Sequence, residues 1–193
     1  MGTEHGTGRR AGRLRVREVL TVQLPPHLLR AGELPRVAVG GTLEAAPALC
    51  AGLVAPMRDE ARDFFDGDEL GTVVACGTVM PALLQHGSGD PCRVDVLDTG
   101  GRLLPLNWAG TEPLDGRVYV EGGLYLDGEL APGTEHGEAI ALCRRAYRVA
   151  AVRRYRRTTD RPAGPVPLRR LPAPAEAHDD AVFVVDLVAP AGP

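Results

Sequence analysis

Residues 116–128 read GRVYVEGGLYLDG, and their alternation decides the fold. Val118, Val120, Leu124 and Leu126 fall on one parity, while Arg117, Tyr119, Glu121, Tyr125 and Asp127 fall on the other. That is the period of a strand buried on one side. Gly122 and Gly123 interrupt it, and glycine inside such a pattern marks a bulge or sharp bend, the device by which a small sheet curls into a barrel. The segment is expected to be a curved barrel strand with its four aliphatic residues inside.

Further strands can be placed on either side of it. Leu14, Val16, Leu20, Val22 and Leu24 share a parity, with Arg13, Arg15, Arg17, Thr21 and Gln23 on the other, until Pro25 and Pro26 end the run. RVAVGGTLEA at 36–45 is a near copy of RVYVEGGLYL, which fits either a duplicated barrel or two independent uses of one barrel motif. Residues 71–80, 92–97 and 102–108 read as strands, the last two joined as a hairpin by the DTGG turn. A basic strand lies within 139–158, and AVFVVDLV at 181–188 is a final apolar one. APMRDEARDFFDGDEL at 55–70 is the helix candidate, with Met57, Ala61, Phe64 and Phe65 on one face and Gly67 placed to stop it. Its acids, Asp59, Glu60, Asp63, Asp66, Asp68 and Glu69, read as a solvated face, because the spacing of a calcium loop is missing. The expected organisation is a flexible tail at 1–12, a β-barrel domain at 13–158, a Pro-rich linker at 159–180, and a C-terminal strand and tail at 181–193.

Composition narrows the chemistry. The chain has 193 residues, 44% hydrophobic but only 4% aromatic, so the core must be built from Val, Leu and Ala. All 22 basic residues are arginine, a bias that a GC-rich genome would also produce. Without lysine there is no Schiff-base or PLP chemistry and no phosphate loop with a GK[ST] signature. Ser88 is the only serine, and HGSGDP is not a nucleophile elbow. Cys50, Cys76, Cys92 and Cys143 are widely spaced and read as buried reduced thiols. His86, Asp90 and Cys92 match no zinc spacing and read as a polar loop. No catalytic residue, metal or cofactor is expected. No apolar run is long enough to cross a bilayer and the first residues lack the apolar core of a secretion signal, so a cytoplasmic location is expected.

From Gly71 to about Thr158 the chain resembles the OB-fold of bacterial single-stranded DNA-binding proteins. The resemblance rests on VVACGTV with its central glycine, the hairpin rising to the tryptophan in LNWAGTE, the strand GRVYVEGGL, and the closing strand YRVAAVRRY. It covers a little under half the chain. It departs from the family in the short 109–116 connection, where a helix usually lies, and in the Pro-rich sequence and strand that replace an acidic, glycine-rich tail. The resemblance implies an OB-fold-like small barrel at about 71–158, and with the segments read above the expected fold is mainly β, with additional N-terminal strands at 13–54, one short helix and a C-terminal strand. The resemblance also implies single-stranded DNA or RNA as partner.

Charge placement points the same way. Formal net charge is −3, yet Arg144, Arg145, Arg148, Arg153, Arg154, Arg156, Arg157, Arg161, Arg169 and Arg170 crowd a stretch whose only acid before Glu176 is Asp160. In an unbroken strand Tyr147, Arg153, Tyr155 and Arg157 share one face and Arg148, Arg154 and Arg156 the other. Such a strand would combine guanidinium forks with phenol rings as a single-strand groove does. Trp108 is either a stacking platform or core packing, while Arg117, Tyr119 and Tyr125 should be partly exposed on the polar parity of their strand. Two readings stay open. The arginines hold a polyanion, or they pair with the acidic 59–69 segment within the chain or across a homo-oligomer, which makes the protein an assembly module.

Overall fold

The structure, a computed structural model, describes residues 19–32, 34–84, 92–110, 112–126, 143–156, 164–178 and 180–189. In chain order these contain β1 (Val19–Leu24), α1 (Pro26–Ala31), β2 (Thr42–Ala45), β3 (Pro47–Pro56), β4 (Phe64–Gly67), β5 (Thr72–Leu84) and β6 (Cys92–Asp98). They continue with β7 (Leu103–Trp108), β8 (Arg117–Leu126), β9 (Arg145–Arg156), β10 (Val166–Leu168) and β11 (Ala181–Val188).

Five of these strands close on themselves. β5, β6 and β7 form an antiparallel meander, β7 runs parallel to β3, and β3 and β5 both pair antiparallel with β8. The result is an OB-fold-like barrel. Val118, Val120, Leu124 and Leu126 are all buried within it, as the alternation of β8 requires.

Glycine makes the closure possible. A Cβ at Gly122 would sit 2.1 Å from the Cys50 carbonyl oxygen and 2.9 Å from Ala51 Cα, so only a residue without one lets β3 approach. The bulge itself lies on the facing strand, where the register slips between Ala51 and Leu53. Gly77 does the same on β5, since its Cβ would meet the Asp98 carbonyl oxygen at 2.1 Å.

The resemblance expected the closing strand within 139–158. β3 closes the barrel instead, coming before the meander in sequence, and β9 lies outside it. β3 escapes a search for alternation because Pro47, Ala48 and Leu49 are buried consecutively. The acidic 55–70 segment is not a helix. Its second half is β4, antiparallel to β5, and the Asp68 carboxylate accepts the amides of Leu70 at 2.9 Å and Thr72 at 2.8 Å in the turn between them. Gly71, at φ 79°, completes that turn. Gly67, expected to stop a helix, is the last residue of β4, opposite Val73, and paired phenylalanines suit a strand. The single helix among the described residues is α1, which starts at the Pro25–Pro26 pair, buries Leu28 and Leu29, and ends on Gly32 at φ 72°.

The remaining strands form a second circuit on the barrel. β1 pairs with β11, β11 with β9, and the far edge of β9 with β2 and β10. β1 meets β8 at Gln23 and Tyr125, while β2 passes through buried Ala46 into β3. One apolar cluster runs through both parts, joining Leu49, Val120 and Leu124 of the barrel to Val22, Leu43, Val149 and Phe183. The Pro-rich stretch carries β10, buried Leu171 and a 3-10 turn at Pro174–Glu176, all held against this second part. Residues 13–18, and with them Leu14 and Val16, lie outside the described residues.

Candidate nucleic-acid interface

The arginine strand, β9, reads RAYRVAAVRRYR, and a single irregularity decides what each residue does. Val149 lies opposite Leu187 and Ala151 opposite Asp186, which leaves Ala150 unpaired as a bulge. Directly opposed residues of an antiparallel pair share a side. Tyr147 opposite Leu43, Val149 opposite Leu187 and Val152 opposite Val185 therefore form the core row. The same row ends in exposed Arg154 and Arg156, opposite Phe183 and Ala181, and begins with exposed Arg145 opposite Ala45. Arg148, Ala151, Arg153 and Tyr155 form the outer row.

The bulge thus breaks up the face on which Tyr147, Arg153 and Tyr155 were expected together. Tyr147 is 4% exposed and Tyr155 3%, so neither ring is open to stack on a base. Tyr155 lies under the turn joining β4 to β5, with its hydroxyl 3.4 Å from the Glu69 carbonyl oxygen. Burial raises the pKa of both phenols; nearby Arg145 and Arg102 oppose the rise at Tyr147, and Arg153 opposes it at Tyr155. Arg153 is ion-paired with Asp186, whose carboxylate also accepts from Thr21 Oγ1 at 3.0 Å. It is a structural arginine. Arg157 lies outside the described residues.

Arg148, Arg154 and Arg156 remain exposed, and none makes an ion pair with a described residue. Two more arginines adjoin them. Gly40 N–H donates to the Val149 carbonyl and Val39 N–H to that of Arg169, while Leu171 N–H donates to that of Val37, which stitches 37–41 and 169–171 to the edge of β9. Exposed Arg36 and Arg169 flank this seam, also without an ion pair among the described residues. Neighbouring Arg170 is engaged, forking onto Glu176 at 3.0 and 3.2 Å. Glu176 is held below its usual range first by the Ala173 N–H, then by Arg170 and, more weakly, by the charge of Arg154.

The site residues expected on the barrel stand apart from this cluster. Arg117 donates to Asp63 at 2.5 Å and to Thr78 at 3.3 Å, and the pairing with Asp63 raises its pKa further. Tyr119 is half-buried and donates its hydroxyl to Glu121, which raises the phenol's pKa. Its ring meets that of exposed Phe64 at 6.3 Å and 53°, a tilted pair on the outer wall of the barrel. Tyr125 is half-buried, with its ring over Gly123. Trp108 ends β7 half-buried, its ring folded over Gly110, whose added Cβ would lie 1.9 Å from it.

Sequence reasoning missed Asp186, Arg36 and the Ala150 bulge, and it named Arg169 and Thr21 without placing them beside β9. The signal for the bulge is the Ala150–Ala151 pair at the centre of an otherwise bulky strand. Asp186, the only acid in AVFVVDLV, could have been matched to a partner in the same way. Cys76 and Cys143 are buried free thiols, with Cys143 pushed up to about 11 by burial. His86, Asp90 and the Cys92 side chain lie outside the described residues. Among the described residues no cluster of potential metal ligands occurs, and no helix is long and apolar enough to cross a membrane. No protein-family model matches the chain, and neither the curated proteins nor the solved structures return a match.

Proposed function

We propose that the chain is a non-enzymatic single-stranded nucleic-acid-binding protein, similar in role to the OB-fold single-stranded DNA-binding proteins, working in the cytoplasm. One observation carries the reading: Arg36, Arg148, Arg154, Arg156 and Arg169, on β9 and the segments along its edge, are exposed and make no ion pair with a described residue. Exposed guanidinium groups outside ion pairs fit phosphates bidentately. With Tyr147 and Tyr155 buried, contact at this edge is to phosphates and carries no base information. Sequence-independent binding with strong salt dependence follows. Fluorescence anisotropy with labelled single-stranded DNA and RNA of mixed sequence tests this, and absence of binding at low salt rejects it.

A second reading is favoured by the division of charge. Residues 47–126 carry twelve acids and five arginines, the rest thirteen and seventeen, so the barrel stretch is −7 and the remainder +4. Opposite charge on two parts of one molecule suits head-to-tail association of copies, the assembly alternative. Size-exclusion chromatography with light scattering at low and high salt separates the two readings, because only this one predicts a salt-sensitive oligomer without added polyanion.

A further inference from the structure

We propose that the open edge of β4 is the docking site for the arginine-rich segment of this chain that precedes β1, residues 9–18, taken up as an added strand. The sheet runs from β10 at one end to β4 at the other, and β5 is the one strand among the described residues that pairs with β4. The Asp68 N–H donates to the Thr72 carbonyl at 2.9 Å, and bonded pairs alternate along an antiparallel ladder, so Phe64 and Asp66 turn their backbone groups to β5. Phe65 and Gly67 turn theirs the other way, where no described residue takes them. An edge of this kind is a template for a further strand.

The two ends of the sheet are guarded differently. β10 carries Pro167 at its centre, which removes a donor and blunts that edge. β4 is rimmed by acid instead, since residues 58–69 hold six acids and two arginines, a formal −4. Asp59, Glu60, Asp66 and Glu69 are exposed and make no ion pair with a described residue. The β4 of a second copy would bring the same acids, and like charges facing each other across a strand pair are destabilising. The charge calls for a basic occupant. Residues 9–18, RRAGRLRVRE, carry five arginines and one acid, a formal +4.

That segment also leaves the described structure at the right place. Val19, at the start of β1, lines a cleft of about 170 Å³ together with Thr21, Phe65, Asp66 and Gly67. β1 is parallel to β8, β8 antiparallel to β5 and β5 antiparallel to β4, so β1 and β4 run in the same direction. A strand continued back from Val19 passes along Phe64 and the acidic residues before it, and at about 3.3 Å per residue 13–18 is long enough to cover β4. The side chains match as well. Leu14 and Val16 share one parity and Arg13, Arg15 and Arg17 the other, while β4 packs half-buried Phe65 against the core and leaves Phe64 and Asp66 exposed. Neighbouring strands keep like faces together, which sets the aliphatic pair beside Phe65 and the guanidinium groups beside Asp66 and the Phe64 ring.

Amide hydrogen exchange of the full chain, followed by NMR, tests this against the Arg13→Glu, Arg15→Glu, Arg17→Glu triple variant. The Phe65 and Gly67 amides are expected to be protected in the wild type and to exchange more than about tenfold faster in the variant, while the Asp66 amide, turned to β5, keeps its protection and shows that the hairpin is intact. Asp59→Arg with Asp66→Arg, added to the triple variant, should restore protection at Phe65 and Gly67. Free exchange of these two amides in the wild type, equal protection in wild type and triple variant, or no restoration by the charge swap would overturn the site. So would protection that rises with protein concentration, because the segment on the edge would then come from a second copy. The β9 arginines take no part in this contact, so it and the nucleic-acid reading can fail separately.

Discussion

Gly122→Ala is the sharpest probe of how the barrel closes. The new Cβ would lie 2.1 Å from the Cys50 carbonyl oxygen and 2.9 Å from Ala51 Cα, whereas ordinary contact begins at 3.4 Å. Both are backbone atoms of β3, so no rotamer change relieves the overlap and the two strands must part by more than about 1 Å. Overpacking costs about 1–3 kcal/mol in a typical core and more where backbone has to move, so a cost of about 3 kcal/mol is expected. Alanine restricts the unfolded chain, which offsets about 0.4–1 kcal/mol of it. The net loss of about 2–3 kcal/mol should lower the melting temperature by about 4–12 °C at this chain length. Gly52→Ala is the matched control on the facing strand, because its Cβ would meet only the Glu121 carbonyl oxygen at 3.9 Å and no positive φ is required there. Urea denaturation followed by circular dichroism should find Gly52→Ala within about 0.5 kcal/mol of wild type or slightly more stable. If Gly122→Ala matched Gly52→Ala in midpoint and slope, the close approach of β3 and β8 would be refuted.

Other expectations follow from the second part of the fold. Asp186→Ala strips the acceptor from Arg153 and Thr21 and should cost about 1–3 kcal/mol, with Arg153→Ala adding less than its own single effect in the double variant when both are measured by denaturant melts. Tyr155→Ala should destabilise by about 3 kcal/mol or more as a core truncation, and Tyr155→Phe by less than about 1 kcal/mol, since the hydroxyl contact it removes is long. The Cys143 thiol, raised to about 11, should stay unreactive toward a disulfide reagent near pH 8 until the protein unfolds, which a stopped-flow thiol assay with and without denaturant would show. The carboxyl of Glu176 is depressed from 4.5 in the folded state, so its stabilisation is complete above that value and is lost as pH falls through the lowered one. Acid titration of Glu176→Gln should therefore show a slightly shallower fall in melting temperature than wild type below about pH 4.5, a small effect because the pair with Arg170 is half exposed.

Much of the fold was legible because burial on one side of a strand writes itself into alternation. β8 and the buried parity of β1 follow from that pattern, and so does the barrel as a class, whereas β7 and β11, each with three consecutive buried residues, stand out as apolar runs. Apart from the β6–β7 hairpin across the DTGG turn, pairing partners were not legible. β3 is buried on both sides where it begins, so it lacks the period that exposes a strand, and its place as the closing strand depends on contacts with β7 and β8 far along the chain. The acidic segment misled for a different reason: 55–70 satisfies a helical spacing, but Asp68 and Gly71 fit a tight turn that pairs Phe65 with Ala75. In the candidate site, the row of arginines was visible and its sorting was not. A single bulged alanine exchanges the two faces of the second half of β9, so that Arg153 and Tyr155 share the outer row, where they meet Asp186 and the β4–β5 turn, while Arg154 and Arg156 end the core row exposed.

The account turns on whether Arg148, Arg154 and Arg156 hold phosphates, and the salt dependence of single-strand binding measures this most directly. Anisotropy titrations of wild type and of the Arg148→Gln, Arg154→Gln, Arg156→Gln triple variant, run across a range of salt, give the slope of log affinity against log salt for each. Loss of three phosphate contacts at about 0.7 per contact predicts a slope shallower by about 2 in the triple variant, uniformly across oligonucleotide sequences. Equal slopes in a folded triple variant, or no binding by the wild type at low salt, would contradict the account.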